Sequence, residues 1–205
     1  MSEKYQGAAA QASYGYGMQI GEQIERAAFE GLVIDAMLDG IRDVMTKQPA
    51  QVDEATIGAA FQEITAQIEA KKAEQHAEVR EAGEKFLSDN RQRPEINVTE
   101  TGLQYEVLSE GEGESPEATS KVQVHYEGTL ISGEVFDSSV KRGQPAEFPV
   151  NGVIKGWTEA LQRMKVGDKW KLYIPQELAY GSQGAGAAIP PFATLVFEVE
   201  LLAIL

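Results

Sequence analysis

The side chains that could carry acid–base or metal chemistry are few and scattered in this sequence. Cysteine is absent, which excludes thiolate nucleophiles, disulfides and cysteine-ligated metals. The two histidines, His76 and His125, are too few for a zinc site or a Ser-His-Asp triad. The glutamates do not form the carboxylate pair of a glycosidase. Hydrolysis through a metal ion or a nucleophile is therefore disfavoured, and no cofactor is expected.

Aromatic residues are the informative set in the C-terminal half. They lie at the ends of predicted strands, on inward strand faces or beside loops: Tyr126, Phe136, Phe148, Trp157, Tyr180 and Phe197. Three aliphatic residues lie in loops where local structure does not need them: Val153, Ile154 and Ile189. Such a set is typical of an apolar pocket for a small ligand. Core packing is the alternative, and for Trp157 or Phe197 alone it is the better one.

Short alternating segments must position these aromatic residues. After RQRPEINVTETG the pattern changes to period-two segments separated by glycine and proline. Four strands each place apolar residues on one face: Leu103, Tyr105 and Val107; Val122, Val124 and Tyr126; Trp170, Leu172 and Ile174; and Leu195, Phe197, Val199 and Leu201. One short helix, WTEALQRMKVG, presents Trp157, Leu161 and Met164 on one side. Residues 100–205 are therefore predicted to form an antiparallel sheet packed on one helix, an α+β arrangement.

The N-terminal half carries helical patterns instead. Ser13 is a candidate cap for a first helix, and LVIDAMLDGIRDVM has the spacing of a second. Asp53 is the predicted cap of a third helix that continues without proline to Arg93. At 1.5 Å per residue this helix is about 57 Å long. The chain is thus predicted to consist of a helical domain over residues 1–52, a connecting helix over 53–93 and the sheet domain.

The third helix is polar on every side in its middle, EAKKAEQHAE. Apolar stripes lie on either side of this stretch: Ile57, Phe61, Ile64 and Ile68 before it, and Val79, Ala82 and Phe86 after it. A helix that is polar all round is typical of a bridge between domains through solvent. The alternative is a helix that lies on the sheet domain.

Three helices of this kind offer little apolar surface for a core of their own, so a homodimer through the N-terminal helices is expected. Gly15, Gly17 and Gly21 would let helix backbones approach closely there, although fraying of the first helix explains them too.

Charge and hydropathy exclude other partners. The net charge is −14 and the acidic excess runs through both halves, which disfavours nucleic acid because phosphate backbones require a basic surface. No apolar run reaches the roughly 18 to 20 residues of a membrane span. The start, MSEKYQGAAAQAS, lacks the pattern of an export signal. No membrane partner and a cytoplasmic location are therefore expected.

Three segments give the C-terminal half a resemblance to a known family: VQVHYEGTLISGEVFDSS, NGVIKGW and ELAYGSQGAGAAIPPFATLVFEVELL. In order and spacing they resemble the FK506-binding-protein (FKBP) family of peptidyl-prolyl cis-trans isomerases, over about residues 100–205. The helical half, with QASYGYGMQIGEQI, is similar to the dimerisation module of bacterial Mip-like and FKBP22-like members. The fold implied is a sheet curled around one short helix, preceded by an all-α domain.

The resemblance also implies a prolyl pocket. Trp157 would form its floor, and its walls would be Tyr126, Phe136, Phe148 and Phe197. Val153 and Ile154 would form one rim and Ile189 the opposite rim. The Ile154 N–H and the Tyr180 hydroxyl would donate hydrogen bonds to ligand carbonyls.

Asp137 would be the acid of this pocket, paired with Arg142. A carboxylate beside aromatic rings resists ionisation unless a cation lies next to it. Alternatively, Asp137 only caps a turn through the amides of Ser138 and Ser139.

The function implied is acceleration of rotation about Xaa-Pro bonds by a non-covalent mechanism. Substrates would be proline-containing unfolded or partly folded polypeptides, and FK506- or rapamycin-type macrolides would inhibit. A homodimer would add chaperone-like holding of clients. Rotation makes and breaks no covalent bond, so the scarcity of nucleophiles fits this reaction. A non-catalytic proline-binding module and a dimeric adaptor are the alternatives.

Overall fold

The computed structural model describes residues 5–205, which form two compact units. The division falls between Lys71 and Lys72, inside a long helix and within its polar stretch. The unit before it is helical, and the unit after it contains the sheet. Over the described residues, no helix combines the length and the apolar character that crossing a membrane requires.

The first unit contains α1 (Ala8–Ala27), α2 (Ile34–Thr46) and the beginning of α3 (Glu54–Asn90). Asp53 caps α3 as predicted, because its Oδ1 accepts a hydrogen bond from the Thr56 N–H at 2.9 Å. The predicted cap at Ser13 is wrong: Ser13 lies inside α1, and the chain enters that helix at Gly7 with a φ of 95°. No residue of α1 or α2 is buried.

The second unit is built on a seven-stranded antiparallel sheet, which confirms the predicted α+β fold class. The strands are β1 (Asn97–Val98), β2 (Gln104–Ser109), β3 (Lys121–Leu130), β4 (Val135–Ser138), β5 (Ala146–Pro149), β6 (Lys169–Ile174) and β7 (Leu195–Ile204). Their order is β1-β2-β6-β7-β3-β4, and β5 pairs with β3. Two short helices complete the unit, α4 (Ser139–Arg142) and α5 (Lys155–Leu161). The pattern missed β1, β4 and β5 because strands of two to four residues show too little alternation.

The core lies between α5 and one face of the sheet. The predicted inward residues of β3, β6 and β7 are all buried there, together with Trp157, Leu161 and Met164 from the helix side. For the segment of β2 the prediction holds for Leu103, which immediately precedes the strand, and fails for Val107, which is 38% exposed. The register of β2 against β6 shifts after Val107, and the sheet face is interrupted at that point.

Within the second unit, the last turns of α3 pack on the sheet domain. The residues of α3 that lose solvent exposure there recur every three or four positions: His76, Val79, Gly83, Phe86, Leu87 and Asn90. Ala82, which the pattern placed in the stripe, is exposed, and Gly83 takes its place. A buried polar contact anchors the helix end, since the Asn90 Nδ2 donates to the Gln104 Oε1 at 2.9 Å. Over residues 76–90, α3 is therefore a helix lying on the sheet domain.

Candidate active site

One cavity of about 430 Å³ gathers most of the predicted site residues. Nine of them line it together with Gly152: Tyr126, Phe136, Asp137, Phe148, Val153, Ile154, Trp157, Tyr180 and Phe197. We call this cavity the aromatic pocket. Its residues come from β3, β4, β5, β7, α5 and the segments beside them, which lie far apart in the sequence.

Trp157 lies at the centre of the ring cluster. It is 4% exposed and lies in the first turn of α5. Three rings meet its indole nearly at right angles: Tyr126 at 5.2 Å, Phe148 at 5.9 Å and Phe197 at 5.2 Å between ring centroids. Edge-to-face contacts of this kind stabilise the arrangement beyond simple area burial. The indole is thereby held rigidly among the surrounding rings.

Gly128 is a site residue that the sequence patterns missed. It lies on β3 directly opposite Phe197 of β7. A Cβ atom on Gly128 would lie 2.6 Å from the Phe197 Cε1 and 2.7 Å from the Phe136 Cε2. Because Gly128 has no side chain, the rings of Phe136 and Phe197 can meet edge to face beside it, at 5.5 Å between centroids. A glycine inside a strand is the sequence signal for such close approach.

Asp137 forms the polar edge of the pocket with two partners. Its carboxylate accepts hydrogen bonds from the Tyr126 hydroxyl and from the Arg142 guanidinium. Burial opposes ionisation of Asp137, but these two donors outweigh it and lower the pKa of the carboxyl. Burial, reinforced by the contact with Asp137, raises the pKa of the Tyr126 hydroxyl.

Arg142 reaches Asp137 because α4 follows β4 immediately. The cap of α4 is Ser138, whose Oγ accepts a hydrogen bond from the Lys141 N–H at 3.1 Å. The capping role considered for Asp137 thus belongs to its neighbour, and the Asp137 side chain bonds to Tyr126 and Arg142. Arg142 itself lies outside the pocket lining and acts through Asp137 and the Tyr126 hydroxyl, which it contacts at 3.0 Å.

Ser139 holds the backbone of β3 at Tyr126. On this edge of β3 the pairing passes from β5 to β4 between Val124 and Glu127. The Ser139 Oγ, fully buried, accepts the hydrogen bond of the Tyr126 N–H at 2.8 Å and lies 3.0 Å from the His125 Nδ1. This hydroxyl takes the place of a strand partner. His125 is outside the pocket lining.

Ile154 and Tyr180 bring potential donors to the rim. Ile154 is the N-cap residue of α5, and its carbonyl accepts from the amides of Trp157 and Thr158 at 3.0 Å. Its own N–H lies before the first hydrogen bond of the helix, so it has no acceptor within α5. Tyr180 is 40% exposed, and no residue in the described part of the chain hydrogen-bonds to its hydroxyl. Both residues line the aromatic pocket.

Ile189, like Arg142, is a predicted site residue that lies outside the pocket lining. It is 6% exposed and belongs to the core rather than to the pocket lining. The backbones of Ala185 and Ile189 bond to each other in both directions, at 2.9 and 3.1 Å. This bridge makes a tight loop whose tip, residues 186–188, is exposed, while Ile189 turns inward.

A second cavity of about 510 Å³ lies beside the end of α3 and the β3–β4 turn. Its lining includes Phe86, Arg93, Leu130 and Tyr173, and none of the predicted site residues. Arg93 is already bonded to Glu95, Glu106 and Tyr173. The aromatic pocket is smaller but holds the convergent polar groups that a ligand site needs.

Two family models match this chain. One, described as FKBP-type peptidyl-prolyl cis-trans isomerase, matches residues 112–202. The other, described as a domain amino terminal to FKBP-type peptidyl-prolyl isomerase, matches residues 9–107. Between them they cover both units of the structure.

Comparison with individual proteins points to the same family. The FKBP-type 22 kDa peptidyl-prolyl cis-trans isomerase of Escherichia coli (strain K12) is 52% identical over 196 residues, 96% of this chain and 95% of that protein. The peptidyl-prolyl cis-trans isomerase Mip of Coxiella burnetii is 53% identical over 119 residues, which are 58% of this chain and 52% of that protein. The crystal structure of FkpA from Escherichia coli matches with a TM-score of 0.78 and 35% identity, over 98% of both chains. The chain therefore belongs to the family of FKBP-type peptidyl-prolyl cis-trans isomerases.

Proposed function

We propose that the aromatic pocket binds the proline of an Xaa-Pro segment and lowers the barrier to rotation about the bond before it. One observation carries this proposal. Rings from three separate strands, β3, β5 and β7, close around Trp157, and the one acid among the lining residues, Asp137, is neutralised by Arg142. Such a pocket takes a compact apolar ring and offers few polar groups beside it.

The reaction is rotation about a partial double bond, with an uncatalysed barrier of roughly 18 to 20 kcal/mol. The twisted amide has less charge separation than the planar one, so an apolar pocket favours the transition state over the ground state. That difference is what catalysis requires. Donors at the rim, the Tyr180 hydroxyl and the Ile154 N–H, would hold the substrate carbonyls on either side of the proline.

Asp137 takes no part as a proton donor in this mechanism. Its lowered pKa keeps it ionised at neutral pH, and both of its partners are hydrogen-bond donors. Its role is to fix the Tyr126 ring at the wall of the pocket. Tyr126 is 6% exposed and contacts the Trp157 ring edge to face, so its position shapes the floor as well.

The test is the cis-to-trans relaxation of a Leu-Pro peptide, with and without the full chain and with added FK506. We expect acceleration that FK506 abolishes. Unchanged relaxation together with FK506 binding would instead make the pocket a docking site for proline motifs, the competing function. Trp157→Leu keeps an apolar residue at the centre of the cluster but removes the indole, and it should abolish both acceleration and FK506 binding.

We also propose that the first unit is a dimerisation module whose partner is a second copy of this chain. Its large apolar side chains are widely exposed: Val33 62%, Ile34 62%, Leu38 46%, Ile41 40%, Met45 78% and Phe61 63%. A domain of this size without a core is not stable alone, and a second copy would bury these side chains. The match to the family's amino-terminal domain supports the assignment. Sedimentation velocity over a range of concentrations tests it.

A dimer would hold one unfolded chain at two pockets and raise its effective concentration at each. Clients would then be proline-containing polypeptides that are not yet folded. The test compares the wild type with a dimer-breaking variant in two assays, refolding of a proline-limited protein and relaxation of a short peptide. We expect the variant to lose the refolding advantage and to keep the peptide activity.

A further inference from the structure

The second half of α3 lies against the segment that follows Tyr180. We call residues 181–194 the 181–194 loop; it runs from the rim of the aromatic pocket to the start of β7. Phe192 in this loop lies beside two α3 side chains. The Arg80 Cζ is 4.2 Å from the centre of the Phe192 ring, and the His76 ring centroid is 5.6 Å away. Cation and ring at this distance attract each other.

The backbone of Phe192 is in an unusual conformation. Its φ is 64°, and Lys47 is the one other non-glycine residue with positive φ over the described residues 5–205. A bulky residue adopts this region only where its surroundings over-determine it. Here the Phe192 N–H donates to the carbonyl of Gly181 at 2.8 Å, which closes the base of the loop next to Tyr180.

A second contact lies one helical turn further along α3. Gly83 is buried against Thr194, and a Cβ atom on Gly83 would lie 2.5 Å from the Thr194 Oγ1 and 3.2 Å from the Thr194 Cβ. Thr194 is 4% exposed and precedes Leu195, the first residue of β7. The helix backbone thus rests directly on the end of the loop, three residues before Phe197 of the pocket wall.

We propose that α3 positions the 181–194 loop for the isomerase reaction. Arg80 holds Phe192, and Gly83 allows the helix to rest on Thr194. Through the Phe192–Gly181 hydrogen bond, this contact sets where Tyr180 presents its hydroxyl at the rim. His76, Arg80 and Gly83 are positioning residues, because none of them lines the pocket. The inference rests on the proposed function of the pocket.

The 181–194 loop sets the position of the Tyr180 hydroxyl, a donor that meets substrate in its ground state and transition state alike. Moving it should therefore weaken substrate binding more than it slows rotation, so KM rises while kcat changes little. A purely structural contact would instead lower the amount of folded enzyme and leave KM unchanged. This difference separates positioning from stability.

Gly83→Ala in the full chain is the first variant. It inserts one methyl group into the contact and strengthens the helix itself. We expect KM for a Leu-Pro peptide to rise at least fivefold, with kcat within twofold of wild type. Gly58→Ala is the matched control. Gly58 lies in the same helix, and a Cβ atom there would have no atom within 4 Å. Adding Thr194→Ala to Gly83→Ala removes the atom closest to the new methyl group. At least half of the rise in KM should then be reversed.

Arg80 gives an independent test. Arg80→Gln removes the cation over Phe192 and should raise KM by about two- to fivefold, while Arg80→Lys keeps a cation and should stay near wild type. Wild-type KM in both Gly83→Ala and Arg80→Gln, with active and FK506-sensitive enzyme, would overturn the positioning role. An inactive wild type would instead overturn the proposed function, and the two failures are distinguishable.

Discussion

The Arg142 Nη2 donates a hydrogen bond to the Tyr126 hydroxyl oxygen across 3.0 Å, while the same guanidinium pairs with Asp137. Three residues from β3, β4 and α4 thus form one closed polar group at the edge of an aromatic pocket. The Arg142 and Asp137 side chains are 52% and 40% exposed, so solvent weakens their ion pair. The contribution of this group is to geometry more than to stability.

Arg142→Gln should raise the pKa of Asp137, because burial remains while the cation is lost. In the wild type the pKa of Asp137 in the folded state lies below its ordinary value of 3.8. Ionised Asp137 therefore stabilises the fold above pH 3.8, and this contribution is lost as the pH falls through the lower pKa of the folded state. In the variant the loss should begin at higher pH. Carbon-13 NMR titration of the Asp137 carboxyl measures this directly.

The same variant should lower kcat/KM by about two- to fivefold at pH 7, the range for one half-exposed charge contact. Lys141→Gln removes the neighbouring cation, which pairs with Glu127 at 3.7 Å, and serves as the control. An Asp137 titration that is the same in Arg142→Gln and wild type would contradict the pairing.

Gly128→Ala should damage the pocket without touching any polar group. Its methyl group would push on Phe136 and Phe197, so we expect unfolding to become easier by about 1–3 kcal/mol, as overpacking does. Displacement of these walls should lower kcat/KM at least tenfold. Peptide relaxation and urea unfolding measure the two effects.

The control for Gly128→Ala is Gly40→Ala in α2, where a Cβ meets no atom within 4 Å. It should keep full activity. If Gly128→Ala retained wild-type kcat/KM, the pocket walls would not be part of the catalytic site.

Tyr180→Phe removes one hydroxyl and leaves the ring. Loss of a single neutral hydrogen bond to substrate should lower kcat/KM by about two- to tenfold. Because the Tyr180 hydroxyl has no partner elsewhere in the described structure, the free energy of unfolding should not change. Tyr105→Phe is the matched control, since Tyr105 stacks on Trp170 away from the pocket. Equal kinetics for Tyr180→Phe and wild type would remove this donor from the mechanism.

Asn90→Ala should destabilise the second unit. Asn90 and Gln104 are 6% and 1% exposed, and the Gln104 Nε2 also donates to the Leu87 carbonyl at 2.9 Å. Removing the Asn90 amide leaves the Gln104 Oε1 buried without its donor, at a cost of about 1–3 kcal/mol. Urea unfolding measures the loss. The exposed Ser88→Ala in the same turn is the control, and an equal loss of stability there would show that the buried contact between Asn90 and Gln104 is not responsible.

Ile41→Lys should separate the proposed dimer. It places a charge on the exposed apolar face of α2, and burying that charge against a second copy is unfavourable. We expect the dissociation constant to rise at least tenfold in sedimentation experiments. Thr46→Lys, on another side of the same helix, should leave it unchanged. Monomeric wild type at all concentrations would contradict the dimer proposal.

The alternation of apolar residues was enough to predict the buried face of a strand that carries the pocket. Val122, Val124 and Tyr126 were placed on one face by alternation alone, and all three are buried. Alternation works there because successive side chains of a strand point to opposite faces. Helical spacing was wrong for Ala82. Neighbouring positions of a helix lie only 100° apart around its axis, and the buried position is Gly83 instead.

Composition, periodicity and family motifs were enough to predict the fold class and the aromatic set. Tertiary structure alone decided which groups meet. Ser139 replaces a strand partner at Tyr126, Gly128 makes room for two rings, and Ile189 turns into the core. Each of these depends on the register and approach of segments distant in the chain. Local patterns do not contain that information, since they describe one segment at a time.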